Sequence, residues 1–331
     1  LEFLWVQLDQ NMRAKDSNTP LVKTSTMKES LSGKDLQGIA FNYDYDGGFK
    51  IASVTDASGK SLKYTINKTM MRIEPGKNLS KGDSFSFKIK WSYNINDRMK
   101  IGGRSGYEYF PKDDNYLYTI AQWFPRMAVY DDVEGWQNKQ FLGRGEFALT
   151  FGDYKVKITV PSDFVVASTG TLQNPKDVLT SAQLKRFEKA KNAFDKPVVI
   201  VTGAEALARE KKKAKSKKTW VYHADNVRDF AFAGSRKFIW DAMAVDLNGK
   251  KPLAMSYYPK EGYPLWGEFS TPVVAQTLKT YSRMTIDYPY PVAISVHAAS
   301  IGMEYPMICF NFGRPEEDGT YTDQKKYGMM S

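Results

Sequence analysis

The sequence predicts a mainly β protein, in which an antiparallel β-sandwich or large curved sheet is followed by a mixed α+β region. Aromatic residues make up 14% of the 331 residues, a composition that favours sheets with aromatic cross-strand packing over helix bundles. Up to about residue 171, short β-type runs alternate with turns, as in "FNYDYDGGFKIASVTDASGKSLKYTIN". This alternation is typical of antiparallel hairpins, and the chain length provides material for two domains.

Helical patterns are few in the first two thirds of the chain. In "VLTSAQLKRFEKAKNAF" the apolar residues Leu184, Phe187 and Ala190 recur at the spacing of an amphipathic helix, with Lys, Arg and Glu between them. We therefore predict a surface helix near 177–195, inserted in the β-rich region.

The order strand, helix, strand, strand after residue 234 predicts a second domain. The segment "WGEFSTPVVAQTLKTYSRMTID" is typical of a long helix, with Ser270 or Thr271 as its N-cap and a proline in its first turn. The predicted domains are an N-terminal β-sandwich over 1–234 and the first part of an α+β domain over 235–331.

Composition argues against several classes of partner and site. The net charge of +10 comes from scattered Lys and Arg, apart from the run 211–218. Because like charges repel and no aromatic residue interrupts this run, we expect a solvated loop and no nucleic-acid partner.

The single cysteine, Cys309, permits no intrachain disulfide. No segment is long and apolar enough to cross a bilayer. His223 and His297 lie far apart, so they form no local paired-histidine zinc motif and are expected at ordinary packing positions.

One carboxylate interrupts the otherwise apolar or small stretch "ASIGMEYPMICF". An unpartnered buried carboxylate is costly, so Glu304 is predicted either to pair with a cation of the same core or to face a cleft where a cation arrives. Gly302 permits close approach of another backbone, and Pro306 is typical of an edge strand, to which an extended peptide can add. The pattern suggests a site that holds a peptide by its ammonium group, with an internal ion pair as the alternative.

Gln122 stands among aromatic residues in "YLYTIAQWFPRMAVYDD". A polar side chain in such a setting is typical of a satisfied hydrogen-bond partner in a core. Nearby, Arg126 is expected to pair with Asp131 or Asp132.

Several segments resemble the aminopeptidase N family, the gluzincin zinc metallopeptidases that also include the leukotriene-A hydrolases. "GMEYP" resembles the family's exopeptidase signature Gly-x-Met-Glu-Asn, and "YLYTIAQWFPRMAVYDDVEGW" resembles the N-terminal-domain segment that lends a glutamine to the active site. "HADNVRDFAFAGSRKFIW" is similar to the strand and crossover that lead into the catalytic domain. The beginning "LWVQLDQN" and the end "RPEEDGTYTDQKKYGMMS" are similar to a bacterial branch, so the resemblance runs along most of the chain in the family's order.

The resemblance implies a saddle-shaped N-terminal β domain followed by the truncated start of a thermolysin-like catalytic domain. It implies that Glu304 binds the free α-amine of a peptide substrate and that Gln122 joins it. The backbone of Gly302 and Met303 would lie along the peptide. The implied function is that of a zinc aminopeptidase, which removes N-terminal residues from peptides.

The sequence also departs from the family pattern. Ile301 stands where the signature has its first glycine, and Tyr305 stands where it has asparagine. The family's zinc motif, His-Glu-x-x-His with a more distal Glu, does not occur in the 331 residues. The resemblance therefore implies zinc ligands beyond Ser331, no catalytic or metal-binding residue within this chain, and a fragment that is inactive alone. A periplasmic or secreted location is compatible with it, although no targeting segment is recognised in this sequence.

Two other functions are consistent with the same patterns. The first is a non-catalytic relative that binds peptides or acts as a scaffold, in which no zinc motif follows. The second is a carbohydrate-binding β-sandwich, which predicts affinity for glycans and none for peptide amines. No pattern indicates the oligomeric state.

Overall fold

A computed structural model gives the architecture. It describes residues 1–17, 19, 29–142, 147–299 and 301–330. The chain divides into two compact units, a first unit of residues 1–106 and 122–150 and a second unit of residues 107–121 and 151–331.

The described strands are, in chain order, β1 Leu4–Gln7, β2 Lys50–Asp56, β3 Lys63–Asn67, β4 Met70–Glu74, β5 Phe87–Ser92, β6 Gly106–Phe110, β7 Asn115–Ile120, β8 Arg126–Met127, β9 Tyr130–Asp131, β10 Gly135–Trp136, β11 Gly152–Pro161, β12 Val165–Ser168, β13 Thr171–Leu172, β14 Val198–Val201, β15 Lys217–Val227, β16 Phe232–Ser235, β17 Ile239–Ala244, β18 Leu253–Tyr258, β19 Val292–His297, β20 Met303–Tyr305 and β21 Ile308–Asn311.

The α-helices are α1 Gly33–Asp44, α2 Arg98–Ile101, α3 Pro175–Val178, α4 Ser181–Ala190, α5 Gly203–Lys212, α6 Thr271–Met284 and α7 Asp323–Met330. Two 3₁₀ turns, Asp9–Arg13 and Lys260–Gly262, and one π-helical turn, Trp266–Ser270, complete the helical segments. None of the described helices is long and apolar enough to span a membrane.

The first unit is built from antiparallel strands. Its largest sheet has the order β3-β4-β1-β8, and β2 pairs with β5. Its core is formed by six buried apolar residues, Val6, Leu8, Phe49, Val54, Met71 and Ile73. The alternation of exposed and half-buried residues along β5 shows a strand with one covered face, as its sequence "FKIKWS" predicts.

The second unit contains a mixed six-stranded sheet of order β14-β17-β18-β19-β21-β20. Strands β18, β19 and β21 run parallel, and the other neighbours are antiparallel. Every residue of β17 and of β18 is buried, as expected for central strands covered on both faces. Two further antiparallel sheets, β12-β16-β7-β6 and β11-β15-β13, belong to the same unit.

These elements confirm the predicted fold class, a mainly β, antiparallel architecture joined to an α+β part. Where the sequence predicts a helix near 177–195, the structure has α4, whose capping box joins Thr180 and Gln183. The domain boundary after Gly234 remains a prediction, since the two compact units divide the chain at other positions.

Ser270 occupies the predicted N-cap position of α6, but its side chain does not make a capping hydrogen bond. Helical backbone begins before α6, with the π-helical turn, and Ser270 itself has αR dihedrals and caps no backbone N–H. The Ser270 hydroxyl instead lies 2.7 Å from that of Ser256, and the Thr271 hydroxyl donates to Asp241. Hydrogen bonds to the sheet have replaced the local cap.

The basic run 211–218 is only partly the expected loop. It comprises the last turn of α5, a short connection and the start of β15. Most of its lysines are exposed, and Lys213 pairs with Asp114.

Candidate functional site

The strand that contains Glu304 lies at the edge of the six-stranded sheet, as the sequence predicted. Strands β20 and β21 form a hairpin whose turn is Pro306-Met307, with Met307 at φ 64°. Thr169 Oγ1 donates to the Pro306 carbonyl at 2.9 Å, and the Ile294 N–H donates to the Met307 carbonyl at 2.9 Å. These two bonds hold the hairpin and fix the position of the edge strand.

Glu304 ends a row of polar residues that crosses the sheet. Strand register pairs each member with the next, so all of them lie on one face. The row runs Asp241, Ser256, Ser295, Cys309, Glu304. The adjacent rows on the other face are mostly apolar, so the polar residues are confined to the face on which α6 packs.

The Glu304 side chain is exposed and borders a cleft of about 650 Å³. The cleft lies between α6 with the loop after it and strands β19 to β21, and Tyr281, Tyr288 and Met330 are among the residues that line it. Among the described lining residues Glu304 alone is charged. It forms no hydrogen bond or ion pair with another described residue, so the internal ion pair considered from the sequence is not formed within that part of the chain.

Cys309 is the cross-strand neighbour of Glu304. Burial, with the nearby Glu304 carboxylate as a second cause, raises the pKa of the Cys309 thiol to about 11. The thiol is therefore protonated at neutral pH. It adds no negative charge beside Glu304 and is a poor nucleophile.

Gly302 directly precedes the edge strand and has room for a methyl group. A Cβ atom at this position would lie 3.8 Å from the nearest atom, a ring carbon of Phe312, which is ordinary van der Waals contact. The described residues therefore do not themselves require glycine there. Met303 pairs with Phe310 and points to the face opposite Glu304, so only its backbone is available beside that carboxylate.

Gln122 belongs to the first unit and lies directly before Trp123. It is 5% exposed and has φ 52°, a left-handed conformation that is uncommon for residues other than glycine. Its carbonyl accepts a hydrogen bond of 3.0 Å from Gln10 Nε2, and the Trp123 carbonyl accepts one from Trp91 Nε1. The Gln122 carboxamide forms no hydrogen bond with a described residue, unlike the satisfied core partner expected from the sequence.

The expected pairing of Arg126 was wrong. Arg126 forms a buried ion pair with Asp9, a residue far away in sequence. Asp131 instead accepts hydrogen bonds from the N–H groups of Val133 and Glu134 within its own turn.

Neither histidine contributes to a metal site among the described residues, where no group of three or more His, Cys, Asp or Glu side chains could hold a metal ion. His297 is fully buried, with its ring 5.0 Å from that of Trp266, and Arg314 Nε lies 3.4 Å from its Nε2. His223 lies on β15 opposite Lys155. His297 thus occupies a packing position, as the sequence suggested, and His223 is half-buried. These residues do not fit zinc, and no chemical step through zinc can be assigned to them.

Two buried charged groups were missed from the sequence. Asp241 accepts hydrogen bonds from Tyr258, at 2.6 Å, and from Thr271. Burial, which outweighs those two hydrogen bonds, raises the pKa of Asp241 to about 6. The only signal in the sequence is a single acidic residue in the apolar run "FIWDAMAV".

The second missed group is Lys237, which is fully buried. Its ammonium contacts Asp113 and lies 3.0 Å from both Glu210 and Glu261. Lys260 joins the same cluster through Asp113 and Glu210. The members come from distant parts of the chain, and no local pattern links them.

No protein-family model and no curated protein sequence matches the chain. Solved structures do match. The M1 zinc metallopeptidase from Deinococcus radiodurans aligns over 93% of this chain and 52% of its own, with 10% identity and a TM-score of 0.51. A two-domain M1 zinc metallopeptidase mutant bound to L-tryptophan aligns over 100% of this chain and 56% of its own, with 9% identity and a TM-score of 0.50.

A third similar structure is Legionella pneumophila aminopeptidase A in complex with aspartic acid. It aligns over 85% of this chain and 28% of its own, with 13% identity and a TM-score of 0.50. The chain thus spans about half the length of the first two structures and less of the third. At these identities the similarity establishes a metallopeptidase-related fold, and function has to be argued from the site.

Proposed function

We propose that this chain is part of a zinc aminopeptidase, in which Glu304 binds the free α-amine of a peptide and only the first peptide bond reaches the reaction centre. The observation that supports this most is the position of Glu304 on an edge strand. Its carboxylate has no ion-pair partner among the described residues. It is also the one charged group among the described residues that line a large cleft. A carboxylate placed there attracts an ammonium group and fixes the register of the peptide.

The other predicted site residues support the same proposal. The edge strand leaves N–H and C=O groups for an extended peptide, and the absence of a side chain at Gly302 permits its close approach. Gln122 has a strained backbone and a carboxamide without a hydrogen bond to a described residue, features that are common at ligand sites. We propose that Gln122 also binds the substrate and that the backbone of Gly302 and Met303 contacts the peptide.

The ligands of a zinc ion would have to lie outside the described residues. In the resembling family the metal supplies a polarised water for attack on the peptide bond. The described residues would bind and orient the substrate.

Replacement of the Glu304 carboxylate tests the proposal. In the full-length protein, Glu304→Gln keeps the size of the side chain but removes its charge, so we expect KM for an aminoacyl p-nitroanilide to rise by roughly 10- to 100-fold. Steady-state kinetics on the purified variant measures this change. Glu317→Gln, at an exposed carboxylate elsewhere in the same unit, is the matched control and should leave KM unchanged. A folded Glu304→Gln variant with wild-type kinetics would show that the carboxylate has no role in substrate binding.

A further inference from the structure

A second cavity, of about 390 Å³, lies on the opposite face of the six-stranded sheet from Glu304. Strand register places Trp240, Tyr257 and Met255 on that face, where α4 also packs through Phe187, whose ring lies 5.3 Å from that of Trp240. Cavities of this size are typical of small-molecule sites. This cavity shares no charged residue with the Glu304 cleft and is independent of the proposed function.

The cavity is elongated along β18. Its wall includes Leu253 at the beginning of that strand, Met255 in the middle and Tyr257 near the end. At about 3.3 Å per residue, these four steps span roughly 13 Å. The far end is aromatic, since Trp240 and Tyr257 stack there with ring centroids 5.0 Å apart and Tyr222 lies beside them.

The charged residues that line the cavity are basic. Lys191 and Lys251 both line the cavity, and no acidic residue among the described residues does so. The Ala244 N–H donates to the Ala193 carbonyl, and Ala244 pairs with Leu253, so the chain after α4 meets the beginning of β18. Lys251, two residues before Leu253, therefore lies at this end of the cavity, whereas the Lys191 ammonium lies 4.8 Å from the ring centroid of Phe187.

The two lysines differ in availability. Lys191 is already bound to Glu188, with Nζ 2.8 and 2.9 Å from the two carboxylate oxygens. Lys251 is exposed, and its Nζ lies 5.5 Å from the ring centroid of Phe194 without an ion pair to a described carboxylate. Lys251 is thus the cation best placed to meet an anionic group.

The aromatic end retains hydrogen-bonding capacity. The Tyr222 hydroxyl donates to the Val166 carbonyl at 2.8 Å, but the buried Tyr257 hydroxyl has only the Met255 thioether, a weak acceptor, at 3.9 Å among its described neighbours. Burial raises the pKa of Tyr257 well above its ordinary value, so this hydroxyl is a neutral donor.

We propose that this cavity binds an elongated amphipathic carboxylate of the medium-chain fatty-acid type, with its carboxylate at Lys251 and its apolar tail between Trp240, Tyr257 and Phe187. Lys251 and the apolar side chains of Leu253, Met255 and Phe187 favour this occupant. A neutral apolar ligand would leave the Lys251 ammonium without an anionic partner, and an apolar cation would be repelled by it.

Calorimetric titration of the purified chain with decanoate tests the proposal. We expect saturable binding at one site, with affinity that rises about fourfold per methylene from hexanoate to decanoate and then levels off when the tail fills the cavity. Affinity that keeps rising through tetradecanoate indicates surface adsorption and overturns the proposal. The proposal is also overturned if no saturable binding is seen at decanoate concentrations up to roughly 1 mM, the range of weak specific binding.

Two variants locate the ligand. Lys251→Glu reverses the charge of an exposed residue. It should weaken decanoate binding about tenfold or more and leave the affinity for 1-decanol unchanged. The matched control is Lys250→Glu, because the Lys250 side chain does not line the cavity. Leu172→Trp should fill the cavity and abolish binding of both compounds. Equal decanoate affinity in Lys251→Glu and Lys250→Glu would contradict the assignment, and unaltered binding in a folded Leu172→Trp variant would place the ligand elsewhere.

Discussion

Glu304 and Gln122 show how far single residues can be interpreted without a structure. Each is a polar side chain in an apolar or aromatic stretch, and each occupies an unusual position. Glu304 is the one charged residue among the described residues that line a cleft. Gln122 has a left-handed backbone conformation. The sequence could not show that both side chains are unpaired within the described chain. That depends on which residues surround them, and those residues are distant in sequence.

Gly302 provides a test at this scale, because its structural and functional roles predict different results. Gly302→Ala should change the free energy of unfolding by less than about 1 kcal/mol, since the new methyl group meets only ordinary contacts and the unfolded chain loses entropy. If a peptide backbone passes at this position, the same methyl group should weaken peptide binding by roughly tenfold, a cost of about 1.4 kcal/mol.

Urea denaturation and KM for a peptide substrate measure the two effects of Gly302→Ala. Gly152→Ala is a suitable control, because a Cβ there has open space around it and lies on a different sheet. Unchanged KM in Gly302→Ala would mean that no backbone approaches this position.

Among the elements, the six-stranded sheet determines where polar groups collect. Its polar row joins residues from five strands, and the local alternation within each strand contains no information about which strands become neighbours. The same reason explains the missing capping hydrogen bond at Ser270. Local rules favour Ser270 as a cap, but its hydroxyl and that of Thr271 hydrogen-bond in a buried network with Ser256 and Asp241.

This network predicts a specific dependence of stability on pH. The pKa of Asp241 is raised to about 6 in the folded protein by burial, from 3.8 for an ordinary carboxyl group. The folded state therefore binds this proton more tightly than the unfolded state, so the contribution of Asp241 to stability is present at acidic pH and is lost as pH rises from about 4 to about 6. The loss is roughly 3 kcal/mol.

Asp241→Asn should remove that contribution. We expect the free energy of unfolding of the variant, relative to wild type, to increase by about 2 to 3 kcal/mol between pH 4 and pH 7, because the amide does not ionise. Urea denaturation of both proteins at several pH values measures the difference. A difference that stays constant across this range would contradict a raised pKa for Asp241.

The Lys237 cluster makes a second prediction at the scale of elements. It joins the β6–β7 turn, α5 and the 3₁₀ turn Lys260–Gly262 around one buried ammonium. Lys237→Met leaves three carboxylates with less positive charge, so we expect a loss of about 3 to 5 kcal/mol in the free energy of unfolding.

Lys213 provides the comparison for Lys237. It pairs with Asp114, the neighbour of Asp113, but both partners are largely exposed. Lys213→Met should therefore cost less than about 1 kcal/mol. Equal costs for the two variants would show that burial does not determine the strength of the Lys237 interactions.

For the whole molecule, composition and hairpin spacing were sufficient to predict a mainly β fold with a later α+β part, and short motifs were sufficient to suggest proteins of similar fold. Solved structures of two M1 zinc metallopeptidases and of an aminopeptidase A share the fold at 9 to 13% identity, so the same architecture forms from largely different sequences. The division into compact units was not predictable, because the hairpin of β6 and β7 joins a unit formed mainly by later residues.

Recognition of a free α-amine by Glu304 is most directly tested by the ratio of kcat/KM for leucine p-nitroanilide to that for N-acetyl-leucine p-nitroanilide in the full-length protein. Acetylation removes the positive charge but leaves the side chain and the scissile bond in place. The proposed role of Glu304 predicts a ratio of roughly 100 or more in the wild-type protein, which is about the discrimination that one charge-assisted contact provides. It also predicts that this ratio falls markedly in Glu304→Gln. Equal hydrolysis of the two substrates, or a ratio that Glu304→Gln leaves unchanged, would contradict it.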